Sequence, residues 1–286
     1  MLNEFVLLCP ITAYVFFFVF ALAMGSLLNV IIYRLPLMLE AEWTTQCRSL
    51  LELPEATSSR INLFFPRSFC PQCKTIIPFW HNIPLLSYCL LKGRCASCKT
   101  SIPLRYPLIE AICGGLSLLA ALHFGFNVEL IAILLFIWLL ICLFVIDIQH
   151  QLLPDGLTYC LLWLGLMVNT QSFFTTPSDA VFGAVSAYLT LWGFIHIFYL
   201  LTGKVGMGNG DFKLFAAFGA WFGWTQLPFI LLFSSLMGAV TGIVYLKSTG
   251  QTKETPIPFG PFLCISGLIT LFYGKAILHW YLGFYV

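Results

Sequence analysis

Apolar runs follow one another along this chain almost without interruption, and that succession limits what it can fold into more than any other feature. The first, Ile11 to Ile32, spans 22 residues. A helix of that length at ~1.5 Å per residue covers a hydrocarbon core of ~30 Å. Further runs cover about 107–124, 128–148, 156–174, 179–201, 211–224, 225–246 and 259–282. Pro228 and the Gly223–Trp224 pair favour a break within 211–246. Only 9% of the 286 residues are charged, against roughly 25% in a soluble domain, too few to clothe a water-facing surface. The expected fold class is therefore all-α polytopic membrane protein, with about eight transmembrane helices. No basic residue precedes the first run and no small-residue cleavage site follows it, so it reads as a retained helix rather than a secretory signal.

One long polar segment interrupts this pattern, about Tyr33 to Tyr106. It divides the chain into a first helix (1–33), a polar domain (34–106) and a membrane-embedded core (107–286). Residues 40–62 lack clear periodicity and fit a loop or short helices, and no internal repeat is evident. Nine of the 14 Lys and Arg residues lie between Arg34 and Arg105. With that segment in the cytoplasm, eight alternating helices put Lys204, Lys213, Lys247 and Lys253 on the same side. This is the asymmetry of the positive-inside rule. The formal net charge is only +2, which gives no footprint for nucleic acid.

Two carboxylates sit where membrane helices end. Asp147 closes the run Leu134–Asp147, and Asp211 opens the sixth run within Gly206-Met-Gly-Asn-Gly-Asp211-Phe-Lys. Acidic residues near lipid are costly and mark functional sites. Two carboxyl groups held close together share a proton, so that one takes a proton from water while the other donates to a carbonyl. Gly206, Gly208 and Gly210 permit positive φ and close approach of a substrate backbone. The competing readings are a solvated helix-end charge for Asp147 and a helix-start charge for Asp211. Asp155, after Leu153-Pro154, reads as another helix-start charge.

Four of the eleven cysteines form two C-x-x-C pairs, Cys70/Cys73 and Cys95/Cys98. Such pairs suit a structural tetrahedral Zn²⁺ with no open position. Two disulfides are the rival pairing, disfavoured by a cytoplasmic location. A bound ion would fold a segment that has little apolar core of its own.

Six ordered motifs resemble the type IV prepilin peptidases, the leader peptidase and N-methyltransferase family. They are Gly25-Ser-Leu-Leu-Asn-Val-Ile-Ile-Tyr-Arg34-Leu-Pro36, the cysteine pairs with Asn82-Ile-Pro84 between them, Arg105-Tyr-Pro-Leu-Ile-Glu110, Asp147 with Leu153-Pro-Asp155, Gly208-Asn-Gly-Asp211-Phe-Lys213, and Pro258-Phe-Gly-Pro261-Phe. The Gly-x-Gly-Asp segment is shared more loosely with presenilin-type intramembrane proteases. The resemblance implies an aspartyl peptidase of the bacterial inner membrane with catalytic Asp147 and Asp211 and zinc ligands Cys70, Cys73, Cys95 and Cys98. It implies cleavage of prepilins and type II secretion pseudopilins after Gly and before Phe. It also implies methylation of the new N-terminus from S-adenosylmethionine. The cysteine-bearing domain places the chain nearer the bifunctional branch than the archaeal preflagellin peptidases, which lack it. Glu40, Glu42, Glu52 and Glu55 are candidates to meet a basic leader, against the plainer reading of solvated charges. Two other classes remain in view. A proton-coupled transporter requires inverted repeats and helices broken at mid-membrane, and a zinc-bearing assembly protein requires no cleavage at all.

Overall fold

A computed structural model describes residues 10–54, 62–204, 207–249 and 258–283. Cys9, Glu55, Gly206 and Lys253 lie outside the described residues. Among the described residues there is no β-strand, only two isolated bridges, and the chain divides into two compact units, Met1–Cys142 and Leu143–Val286.

The first unit holds α1 (Pro10–Leu50), a short 3-10 turn (Phe79–Asn82), α2 (Leu86–Leu90), α3 (Arg105–Phe124) and the first part of α4 (Val128–His150). Helix α1 does not stop at Ile32. It continues through Arg34 and an internal Pro36 to Leu50, 41 residues in all. The stretch 34–50, expected within a separate polar domain, is therefore a direct extension of the first helix. Its Leu, Met, Ala, Glu and Gln residues are good helix formers, and its exposure on several sides explains the missing apolar period. Small residues let α1 and α3 approach closely: a Cβ on Gly25 would come within 2.8 Å of Glu110 Cα, and one on Gly114 within 2.7 Å of Leu22. Cys113 Sγ donates to the Ala21 carbonyl at 3.4 Å, and Asn29 Nδ2 to the Tyr106 carbonyl at 3.1 Å.

The second unit begins within α4 and continues with α5 (Asp155–Asn169), α6 (Pro177–Thr202), α7 (Asn209–Phe222), a 3-10 turn (Trp224–Gln226), α8 (Leu227–Thr249) and α9 (Gly260–Gly283). Six of the helices, α1, α3, α4, α6, α8 and α9, are long and apolar enough to cross a membrane. The order of elements matches the eight expected runs, but α5 and α7 have only 15 and 14 residues. At ~1.5 Å per residue each covers about 22 Å, short of a bilayer core. The break expected within 211–246 is present, because Gly223 takes φ 75° and ends α7.

Helix α7 is enclosed by protein: from Leu214 to Phe222 every residue is buried. It meets α6 backbone to backbone, since a Cβ on Gly183 would come within 2.6 Å of the Gly219 carbonyl oxygen. It meets α5 where Trp221 lies on Gly165 and donates Nε1–H to the Leu161 carbonyl at 2.8 Å. Its last carbonyls are satisfied by Asn169, whose Nδ2 donates to Ala220 at 2.8 Å and to Trp221 at 2.9 Å. Asn169 Oδ1 accepts from the Phe174 and Thr175 amides at 3.0 and 3.2 Å. Substituting Asn169 by Ala strands two carbonyls and two amides in a buried site and lowers stability by about 3 kcal/mol. Denaturant unfolding in mixed micelles reads that loss, whereas a surface change such as Thr170→Ala leaves the midpoint in place.

Candidate active site

The second unit brings both aspartates to one cluster. Asp147 lies in the last turn of α4 and Asp211 in the first turn of α7, only 5% and 7% exposed. Asp147 acts electrostatically on Asp211, and both act on the buried thiol of Cys264 in α9. Three small contacts explain how two helix ends converge. Leu153, in the connection between α4 and α5, packs on the residue before Asp211: a Cβ on Gly210 would come within 2.7 Å of Leu153 Cβ. The same leucine reaches Gly260, where an added Cβ would lie 3.2 Å from Leu153 Cδ1. Gly260 in turn lies against Asp147, leaving no room for a Cβ beside Oδ2 and placing its backbone amide at the carboxylate. Leu153 thus touches both the residue before Asp211 and the glycine that lies against Asp147, and Gly210 and Gly260 are glycine because neighbouring groups occupy the Cβ position.

The expected positive φ is not found at Gly208 or Gly210. Gly208 is extended at φ −76° and ψ 150°, its carbonyl accepts the Asp211 amide at 3.2 Å, and Gly210 is the second residue of α7. What Gly210 contributes is space for Leu153 rather than an unusual dihedral.

Two carboxylate oxygens, Asp147 Oδ2 and Asp211 Oδ1, are buried without a hydrogen-bond partner. Buried polar atoms are nearly always satisfied, so such a pair marks a place for a water molecule or a substrate group. A water held between two carboxyl groups can lose a proton to one while the other protonates a carbonyl, the chemistry of aspartic hydrolysis. Asp155 plays a different part. It opens α5 and forms an ion pair with Lys213, Nζ to Oδ1 at 2.6 Å, and Lys213 also lies over the Tyr159 ring at 5.3 Å. Residues 153 and 155 therefore grip the chain on both sides of Asp211.

Sequence reasoning gave Leu153 and Gly260 no role, although both stood in the quoted motifs. The available signal was a leucine and a glycine, each next to a proline, one in the connection after Asp147 and the other at the start of α9.

The first unit carries a separate cluster. The thiols of Cys70, Cys73, Cys95 and Cys98 lie within 4.8 Å of one another, with Cys70 Sγ and Cys98 Sγ 3.8 Å apart. All four are free thiols rather than disulfides. A tetrahedral zinc with ~2.3 Å bonds has sulfur–sulfur edges of about 3.8 Å, so the donor set fits that ion. Each pair sits in the same turn. Lys74 N–H donates to the Cys70 carbonyl at 2.9 Å, and Lys99 N–H to the Cys95 carbonyl at 3.1 Å. Lys74 and Lys99 take φ 58° and 62°. The backbone amides of Cys70 and Cys95 donate to the Thr75 and Thr100 carbonyls at 3.0 and 2.8 Å. Cys70-Pro-Gln-Cys-Lys-Thr-Ile-Ile-Pro78 and Cys95-Ala-Ser-Cys-Lys-Thr-Ser-Ile-Pro103 are thus two copies of one knuckle, identical at six of nine positions. The expectation of no internal repeat is corrected on this point.

The Thr100 hydroxyl and backbone beside Cys98 lower its thiol to about 6, and the Thr75 hydroxyl lowers Cys73 in the same way. A thiolate is the ligand form, and the Cys98 thiolate is present above its pKa and lost below it. Zinc competes with protons for these thiols, so its affinity is expected to fall as pH is lowered. Elemental analysis after dialysis at neutral pH is expected to find about one zinc per chain. No zinc retained at neutral pH argues against a Cys₄ site.

Comparisons with known proteins agree with this arrangement. The Bacterial Peptidase A24 N-terminal domain model matches residues 19–124, and the Type IV leader peptidase family model matches residues 134–243. A prepilin leader peptidase/N-methyltransferase of Legionella pneumophila is 53% identical over 287 aligned residues, covering all of both chains. Proteins of the same name are 48% identical in Stutzerimonas stutzeri, over 98% of each chain, and 49% identical in Pseudomonas aeruginosa, over 92% of this chain and 91% of that one. No solved structure matches the chain. With full-length similarity at this level, and two buried acids gathered at the ends of α4 and α7, this chain belongs to the type IV leader peptidase family.

Proposed function

We propose that this protein removes the leader peptides of type IV prepilins and type II secretion pseudopilins, cutting after Gly and before Phe, and then methylates the exposed amino group. Asp147 and Asp211 are the catalytic pair. The observation that carries the reading is the convergence of these two acids around Leu153 and Gly260, each with one buried and unpartnered oxygen. One carboxyl group removes a proton from a water molecule whose oxygen attacks the glycine carbonyl carbon. The other protonates the carbonyl oxygen. Collapse of the tetrahedral intermediate breaks the C–N bond, and the departing nitrogen takes a proton from the pair. Because the two groups act together, neither is assigned a fixed role as acid or base.

Cys70, Cys73, Cys95 and Cys98 hold a structural zinc that fastens the two knuckles together. Four thiolates leave that ion no open position for chemistry. The methylation reading rests on family membership, and S-adenosylmethionine supplies the methyl group. The chain lies in the bacterial inner membrane with residues 34–106 and both aspartates on the cytoplasmic side, a placement supported by the distribution of Lys and Arg. A leader held in the cytoplasm, followed by a helix in lipid, then presents its scissile bond at the level of the two acids.

Mass analysis of a prepilin N-terminus, after incubation with purified protein and S-adenosylmethionine, tests both reactions at once. The expected product begins at Phe and is heavier by one methyl group. An intact leader under conditions that keep the protein folded overturns the peptidase reading.

A further inference from the structure

We propose that the turn Asn62–Pro66 is an interfacial anchor that inserts Phe64 and Phe65 into the headgroup layer of the bilayer crossed by α1. The turn is held rigidly. Arg34, only 7% exposed, donates from Nη1 to the Asn62 carbonyl at 2.9 Å and the Leu63 carbonyl at 3.3 Å, and from Nη2 to the Pro66 carbonyl at 2.5 Å. Asn62 Oδ1 accepts the amides of Phe64 at 2.9 Å and Phe65 at 2.5 Å, and the Asn62 amide donates to the Phe65 carbonyl at 2.9 Å. Six hydrogen bonds thus fix five residues whose two aromatic side chains turn outward, Phe64 83% and Phe65 68% exposed.

The anchor point sets the depth. Arg34 stands two residues beyond Ile32, the end of the first apolar run, which is a rise of about 3 Å along α1. A bilayer of ~40–45 Å with a ~30 Å core has a headgroup layer of roughly 5–8 Å on each side. Groups bonded directly to the Arg34 guanidinium therefore sit at headgroup level. The apolar face of α1 leads up to the same boundary, with Val15, Phe16, Val19, Phe20 and Leu27 each half or more exposed. Arg67, exposed beside the turn, supplies a cation at the level of the phosphates. Apolar rings beside a basic side chain suit that boundary, the rings reaching the edge of the acyl chains while the cation stays among the phosphates. The lipid surface is continuous with a surface that the first helix already presents.

Photocrosslinking tests the proposal in the full-length protein reconstituted in vesicles of phosphatidylethanolamine and phosphatidylglycerol. p-Benzoylphenylalanine is placed at position 64 or, separately, at 65. The same group at Phe16 serves as the lipid-facing control, and at Gln46, exposed on the α1 extension, as the water-facing control. Illumination is expected to give phospholipid adducts at 64 and 65 at least about tenfold above Gln46 and within about threefold of Phe16, as the shared boundary requires. Adducts at 64 and 65 that fall to the Gln46 level, or that form with protein alone while Phe16 captures lipid, overturn it.

Discussion

Asparagine in place of either Asp147 or Asp211 is expected to abolish leader removal while the protein accumulates and folds normally. The side chains are nearly isosteric, so the packing of Leu153 between Gly210 and Gly260 is retained. What disappears is a group able to take or give a proton. General acid–base catalysis contributes roughly 10²–10⁴-fold, and in the proposed mechanism the same groups also position the attacking water, so a loss above about a thousandfold is expected. Each substitution also removes a buried ionisable group, so stability is expected to hold or rise. Cleavage of a prepilin substrate by the purified variants, followed by gel shift or mass, reads the result. Near-normal processing by either variant removes that residue from the mechanism.

The second large effect arises at Gly260. Replacing it by Ala puts a methyl group on top of Asp147 Oδ2 and within 3.2 Å of Asp147 Cγ and Leu153 Cδ1. The backbone there yields poorly because Pro261 follows at the start of α9 and fixes its own φ. The carboxylate must therefore move, and a displacement of about 1 Å costs on the order of a hundredfold in rate. Cleavage is expected to fall by that factor without loss of the folded protein. Gly238 provides the comparison: its nearest neighbour is the Phe262 ring edge at 3.4 Å, an ordinary contact, so Gly238→Ala leaves the rate within about twofold. Equal effects at the two glycines contradict the account of Gly260.

The membrane helices were legible because long apolar runs have few other uses, and the turns at Gly203 and Gly223 carry the residue that their positive φ favours. Lengths were less legible. Helix α7 reads as a lipid span because Phe212–Phe222 is almost wholly apolar, yet protein surrounds it. Composition cannot distinguish burial in lipid from burial in protein. The continuation of α1 to Leu50 was hidden for the opposite reason, since an exposed helix imposes no apolar period. At the site the two acids and four cysteines stood out by chemistry. Leu153, Gly210 and Gly260 did not, because their importance lies in the volume they fill or leave empty, which appears only when the α4–α5 connection meets the starts of α7 and α9. The knuckle repeat was present in the letters, but each copy is only nine residues long, shorter than the repeats of stacked architectures.

The claim that Asp147 and Asp211 act as one unit is tested most directly by a double-substitution cycle. Rates of prepilin cleavage are compared for the unaltered protein, Asp147→Asn, Asp211→Asn and the pair together. Groups that share a single water and proton give a double variant no slower than the slower single one. Losses that multiply, so that the double variant falls by the product of the two factors, contradict a shared site.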